Sequence, residues 1–436
     1  MNYELDKYTL KCLNFINKLS LKMNNHLSDY ISDYTIIDTI VNLISSTQAE
    51  VNKLKISVET HKLKRIHVET EKPLIYKLFQ QLFNKKLSYQ EFMNWYRDKI
   101  YDANIPELCK TAKSDICKFF FDSHNDRKLL HELLYDNTFI SLDIHQYAET
   151  RDLLLDIIKT PIADLYIYYE NEKPDIKILL HICLFMMGIA KLNKKKIIKP
   201  LITIFYTNQK KFIDYENEYF YPENINSGMS IRGQKIYIWR KEELCKVLIH
   251  ELIHFYSFDF NFNLHSNLGK LISSHIPYET IDKANESYTE ALALVINTLL
   301  ISFYTKIPKE KLFEFEKIFS LFQVYKILKF AGINNLNDIE KIKIKQKTSV
   351  VSYFIVKTYI LFDLNSFFEF INKSLTVTMM DYEKFLEKIF ENSQLSKYVN
   401  ELKEKLKEKS KKNLKETFVW KTLRMSMLAI DINNKD

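Results

Sequence analysis

The chain has 436 residues, enough for two or three domains and a large apolar core, and its five glycines and eight prolines are so few that long helices should outnumber tight turns. Its net charge of +8 is spread along the whole length, with lysines densest at Lys194–Lys196 and in Lys403–Lys412, where glutamates interleave as on an exposed helix; no basic stripe set with aromatics occurs, so no nucleic-acid partner is expected. Five cysteines without a C-x-x-C pair, an N-terminus without an apolar leader, and apolar runs (Ile176–Ala190, Ala291–Tyr304) short of the ~18–20 residues of a membrane span together imply a reducing, cytoplasmic setting and no transmembrane segment.

Residues 1–195 read as a helical N-terminal domain, suited to docking a substrate or partner. Apolar residues recur at three- and four-residue spacing in Leu10–Leu21, Ile36–Leu54, Leu74–Phe83 and Leu129–Leu134. A near-repeat, KISVETHK at Lys55–Lys62 and RIHVETEK at Arg65–Lys72, alternates as two short strands would, and its His61 and His67 read as surface residues. Residues 196–436 read as a second domain. Pro200–Tyr206 is strand-like, and Ser227–Ile231 and Lys235–Trp239 flank Arg232-Gly233 as a hairpin. A helix is predicted from about Lys241 to Ser257 and another from about Thr280 to Tyr304. After Pro308 no proline interrupts the chain, so the remainder is expected to be helical. The fold class expected is therefore mainly α with a small sheet (α+β).

The first of those two helices carries H-E-x-x-H. His250 and His254 are one turn apart on one face, so both imidazoles can point at one ion. Glu251 is rotated away, where it can take a proton from water beside that ion. The second helix carries Glu286 and Glu290, again one turn apart, in a stretch too apolar to hold free carboxylates cheaply. A zinc ion with two histidines wants one anionic ligand and one open position, which Glu286 can complete. Glu290 can accept a hydrogen bond from the Nδ1–H of a liganding histidine. Cys245 reads as a buried helix residue, not a ligand.

H-E-x-x-H followed by N-E-x-x-[ST]-[DE], here His250–His254 and Asn285–Glu290, resembles the thermolysin-like gluzincin metallopeptidases. The resemblance covers two short segments. It implies zinc ligands at His250, His254 and Glu286, a general base at Glu251, a supporting carboxylate at Glu290 and a zincin-like catalytic domain. It further implies an edge strand that pairs with an extended peptide, for which Asn226, Ser227 and Gly228 are the candidates. Gluzincins also use a downstream Tyr or His to stabilise the oxyanion, which points to Tyr353, with Tyr359 behind it. Two departures stand out: an extra loop at about Asp259–Glu279, and Glu290 where the family has Asp. Metzincins fit worse, because Ser257 and Phe260 occupy the positions of their Gly and third His.

The expected function is hydrolysis of a peptide or protein substrate, with Zn²⁺ as cofactor and Glu251 as general base. Endo- and exopeptidase action stay open, and Arg232 and Arg240 are the candidates for clamping a terminal carboxylate. The alternative is an inactive zinc-binding structural or virion assembly protein. The abundance of Lys, Asn and Ile, joined to the motif, resembles uncharacterised zincin-like proteins of large DNA viruses, which would place the chain in the host cytoplasm or the virion.

Overall fold

The computed structural model describes residues 3–19, 21, 34–65, 140–261, 267–333 except 281, 341–409 and 418–433, with isolated positions (80, 91, 130, 133, 134 and 339) between them. The second half of the near-repeat with His67, the helix expected at Leu74–Phe83, most of Leu129–Leu134, Cys109 and Cys117 lie outside the described residues.

The chain is mainly helical with a mixed six-stranded sheet. Helices α1 (Lys7–Leu19) and α2 (Thr35–Asn52) come first; α2 buries Ile37, Ile40, Ile44, Thr47 and Val51, one stripe at helical spacing. Strand β1 (Glu59–Leu63) follows. Beyond α3 (Leu142–Thr150) the chain forms a hairpin, β2 (Leu153–Lys159) and β3 (Asp164–Tyr169), where helix was expected. The turn explains it. Thr160 Oγ1 accepts from the N–H groups of Ile162 at 3.2 Å and Ala163 at 3.1 Å, reversing the chain, and branched and aromatic residues on both sides suit strands. Helix α4 (Ile176–Leu192), capped by Asp175, carries the chain across to β4 (Leu201–Phe205). A single turn, α5 (Pro222–Ile225), precedes the hairpin of β5 (Gly228–Ile231) and β6 (Lys235–Ile238). Gly233, at φ 65°, turns that hairpin, as the sequence requires of it.

The strand order is β1-β2-β3-β4-β6-β5, with β3/β4 and β4/β6 parallel and the other pairs antiparallel. The division expected at residue 195 passes between β3 and β4, which pair in register from Asp164↔Leu201 to Tyr168↔Phe205. One continuous sheet therefore joins the described parts of the two halves, and the N-terminal part is not purely helical. The sheet is covered on both faces. Ile202, Ile204, Ile236 and Ile238 face the main core, while Phe205, Tyr237 and Trp239 face a smaller cluster under α3.

Against the main-core face lie α4 and α6 (Leu244–Phe255), the H-E-x-x-H helix. The segment after it, expected as a loop, contains a helix, α7 (Asn267–His275), and strand β7 (Tyr278–Glu279). Helix α8 (Asn285–Thr305) then crosses the centre. By length and composition it could span a bilayer, but 83 % of that window is buried in this protein, as for a core helix. It packs on α2, α6, α9 (Lys309–Phe330) and a π-helix, Val351–Val356. Strand β8 (Ile344–Lys345) pairs in parallel with β7. The remainder is helical, and the segment 422–433 returns to bridge Leu5, Phe212 and Pro174.

Candidate metal centre

Helices α6 and α8 bring the two sequence motifs face to face. His250 Nε2 lies 3.2 Å from Glu286 Oε2, His254 Nε2 lies 3.2 Å from the same oxygen, and the two Nε2 atoms are 3.2 Å apart. The outer nitrogens are each engaged by a carboxylate: His250 Nδ1 with Glu290 Oε2 at 3.0 Å, His254 Nδ1 with Asp259 Oδ2 at 2.8 Å. A carboxylate on Nδ1 fixes the proton there. Both Nε2 lone pairs then point, with a carboxylate oxygen, at one spot. Three acceptors converging with no donor among them require a cation. Zinc–nitrogen bonds of ~2.0–2.1 Å in a tetrahedron place the ligand atoms about 3.3 Å apart, close to this triangle. The donor set and its spacing thus fit Zn²⁺.

Where protons balance these groups in place of a cation, the titration behaviour reports the same convergence. Burial opposes charge on His250, but hydrogen bonds to Glu286 and Glu290 outweigh it and raise its pKa. His254, likewise buried, is raised well above the usual histidine value by Asp259 and Glu286. Burial would raise Glu286, yet the two imidazoles hold it well below the carboxylate range. Glu290, also desolvated, is held far down by Lys246 and His250.

Sequence reasoning missed three supporting residues. Asp259, five positions past His254, also accepts from Asn285 Nδ2 at 2.7 Å and pairs with Arg232 at 2.9 Å. Asn285 thus acts through Asp259, anchoring the support of the second histidine. Lys246 forms a buried ion pair with Glu290 and keeps that carboxylate charged. Its signal was present, since Lys246 precedes His250 by one turn on the same face. Asp259 left no comparable periodic signal.

Glu251 turns toward the sheet edge. Strand β5 is the last strand of the sheet, and its Gly228 is so close that a Cβ there would lie 2.6 Å from Glu251 Oε1. Burial raises the Glu251 pKa; His250, His254 and a hydrogen bond from Ser230 pull the other way without cancelling it. A carboxylate raised toward neutrality suits a group that must accept a proton and then give it up. Tyr353 lies on the far side, its ring centroid 6.2 Å from that of His250, within the π-helix. Tyr359 instead packs on Phe390.

A cleft of about 670 Å³ opens over these residues, lined by Asn226, Gly228, Glu251, His254 and Tyr353 among others. Ser227, expected on the same rim, is buried and is not among its lining residues. Arg232 lines the cleft but is held by Asp259 and the Phe260 carbonyl. Arg240 does not reach it: the guanidinium is buried and donates to the carbonyls of Lys210, Glu223 and Asn226. It is a structural cross-link, so the clamp expected of Arg240 does not form. His61 pairs with Glu59 on β1, away from the cleft. Cys12, Cys183 and Cys245 are buried free thiols.

No protein-family model matches the chain, and no solved structure matches it. A curated relative, the uncharacterised protein R210 of Acanthamoeba polyphaga mimivirus, is 27 % identical over 183 residues, which cover 37 % of this chain and 45 % of the relative. The chain therefore spans less than half the length of the relative it matches, and what the two share is a stretch of sequence with no activity attached to it.

Proposed function

We propose that this protein is a zincin-like, zinc-dependent hydrolase of peptide bonds, similar to the gluzincins. The observation that carries the reading is the triangle of His250 Nε2, His254 Nε2 and Glu286 Oε2, closed by acceptors alone, with Glu251 beside an unpaired strand edge. His250, His254 and Glu286 would hold the ion, and Glu290 and Asp259 would orient the imidazoles. Bound zinc supplies Lewis acidity toward a carbonyl and lowers the pKa of water. Glu251 takes the proton of the attacking water and passes it to the leaving amine. Tyr353 donates its phenolic hydrogen to the oxyanion that develops on the scissile carbonyl. The free edge of β5 offers backbone groups to an extended peptide, which binds without much dependence on side chains. The mimivirus relative favours a viral setting, in the host cytoplasm or the virion.

Changing Glu251 to Gln tests this reading. Turnover should be lost while zinc, measured by elemental mass spectrometry, stays near one per chain, because Glu251 takes no part in ligation. A wild-type protein that binds no zinc defeats the proposal. One that binds zinc and cleaves nothing in a broad peptide library supports a structural or virion assembly role instead.

A further inference from the structure

Around the metal centre the charges pair off, with two exceptions. Glu251 and Glu286 would offset a divalent cation held by neutral histidines. Asp259 offsets Arg232, and Glu290 offsets Lys246. Two more cations, Lys283 and Lys347, line the cleft, and no acidic side chain other than Glu251 and Glu286 lines it. Among the described residues neither lysine has an ion-pair partner; Lys347 Nζ sits 4.9 Å over the Tyr219 ring.

Both lysines rise from a single stitched wall. Strands β7 and β8 begin it, pairing Tyr278 with Ile344 and Glu279 with Lys345. The Thr280 hydroxyl then donates to the Gln346 carbonyl, and Lys283 N donates to Ser349 Oγ at 3.0 Å. Between them Asp282 accepts from Gln346 Nε2 at 3.3 Å and from Ser352 N at 3.2 Å. At one end Thr348 Oγ1 donates to Asn226 Oδ1 at 3.1 Å, joining this wall to the residues that lead into the β5 edge. The excess positive charge is therefore placed by fixed backbone, facing the cleft that holds the metal centre.

We propose that Lys283 and Lys347 determine specificity by receiving a carboxylate of the peptide substrate, either an acidic side chain near the scissile bond or the C-terminal carboxylate of the chain. This rests on the peptidase reading above. Charge-assisted contacts to two ammonium groups favour a carboxylate over its amide, and the preference weakens with salt as the screening length shortens.

The test uses full-length, zinc-loaded protein with Glu251→Gln, so that peptides bind without being cut. Three fluorescent hexapeptide sets are titrated by anisotropy: acidic with an amidated C-terminus, neutral with a free C-terminus, and neutral with an amidated C-terminus. One of the carboxylate-bearing sets should bind about tenfold more tightly than the third, and which one does so identifies the source. Adding Lys283→Gln and Lys347→Gln should abolish that advantage without removing zinc. Equal affinity for all three sets, no binding of any, or an advantage that survives both substitutions overturns the inference. Zinc content and cleavage by the wild type are measured in parallel. Their failure counts against the peptidase reading, while the binding comparison still reports on the lysines.

Discussion

Gly228 holds the general base in place by having no side chain. A Cβ there would meet Glu251 Oε1 at 2.6 Å, and Glu251 Cγ and Val247 Cγ1 at 2.9 Å each. The carboxylate end could swing aside, but Cγ and Val247 belong to the packed helix α6 and cannot. Gly228→Ala is therefore expected to displace the Glu251 carboxylate and lower kcat about 100-fold, with zinc content unchanged. Unaltered kcat in that variant would separate Glu251 from catalysis or from this placement. The ligand histidines were legible in the sequence because their spacing is local to one helix, and so was the Glu286/Glu290 pair. Asp259 was not. It reaches His254 only because Ser257, at φ 56°, reverses the chain just past the helix, and a backbone reversal at a non-glycine residue leaves no pattern to read.

At the scale of elements, α8 is the common wall, and His181 is the joint that seats α2 and α4 against it. His181 on α4 meets the Tyr304 hydroxyl of α8 through Nδ1 and the Ile44 carbonyl of α2 through Nε2, the latter at 2.8 Å. Burial lowers its pKa from 6.5 to about 4. The unfolded chain therefore takes the proton first, and stability present above pH 6.5 is lost as pH falls toward 4. The loss amounts to about 3 kcal/mol from this group. Urea denaturation of the wild type and of His181→Gln should show the difference between them shrinking by that order between pH 7 and pH 4. A difference independent of pH would mean that His181 is not the group responsible. The elements themselves were unevenly legible. Helices α2, α6 and α8 and strands β4 to β6 sit near their predicted ranges, since periodicity and turn residues mark them. The β2–β3 hairpin was hidden, because its apolar runs (LLLDIIK, DLYIYY) are short and periodicity alone does not separate a buried strand from a buried helix.

At the scale of the whole molecule, the C-terminal segment serves as a set of backbone acceptors and donors for buried charges. Lys326 donates to the carbonyls of Val419 and Thr422, and Lys357 to that of Met425. Glu316 accepts from the N–H groups of Met427 at 3.0 Å and Leu428 at 2.9 Å, and Glu243, at the start of α6, accepts from Ser426 N at 2.7 Å. A chain ending after Lys421 would leave these groups buried without partners, at about 1–3 kcal/mol or more for each. Such a truncation is expected to be insoluble or open to rapid proteolysis, which limited digestion would detect; a protease-resistant, zinc-binding product would contradict the account. By itself the sequence determined the class of chemistry on offer, two histidines and two carboxylates at one-turn spacing on apolar helices, and the predominance of helix, because both depend on contacts within a few residues. Only the tertiary structure decided the rest: that one sheet joins the described parts of the two halves, that Asp259, Asn285 and Lys246 support the centre, that Arg240 is spent on carbonyls, and that Lys283 and Lys347 face the cleft unpaired. Each of these depends on which distant segments the packing brings together, and local periodicity carries no record of that.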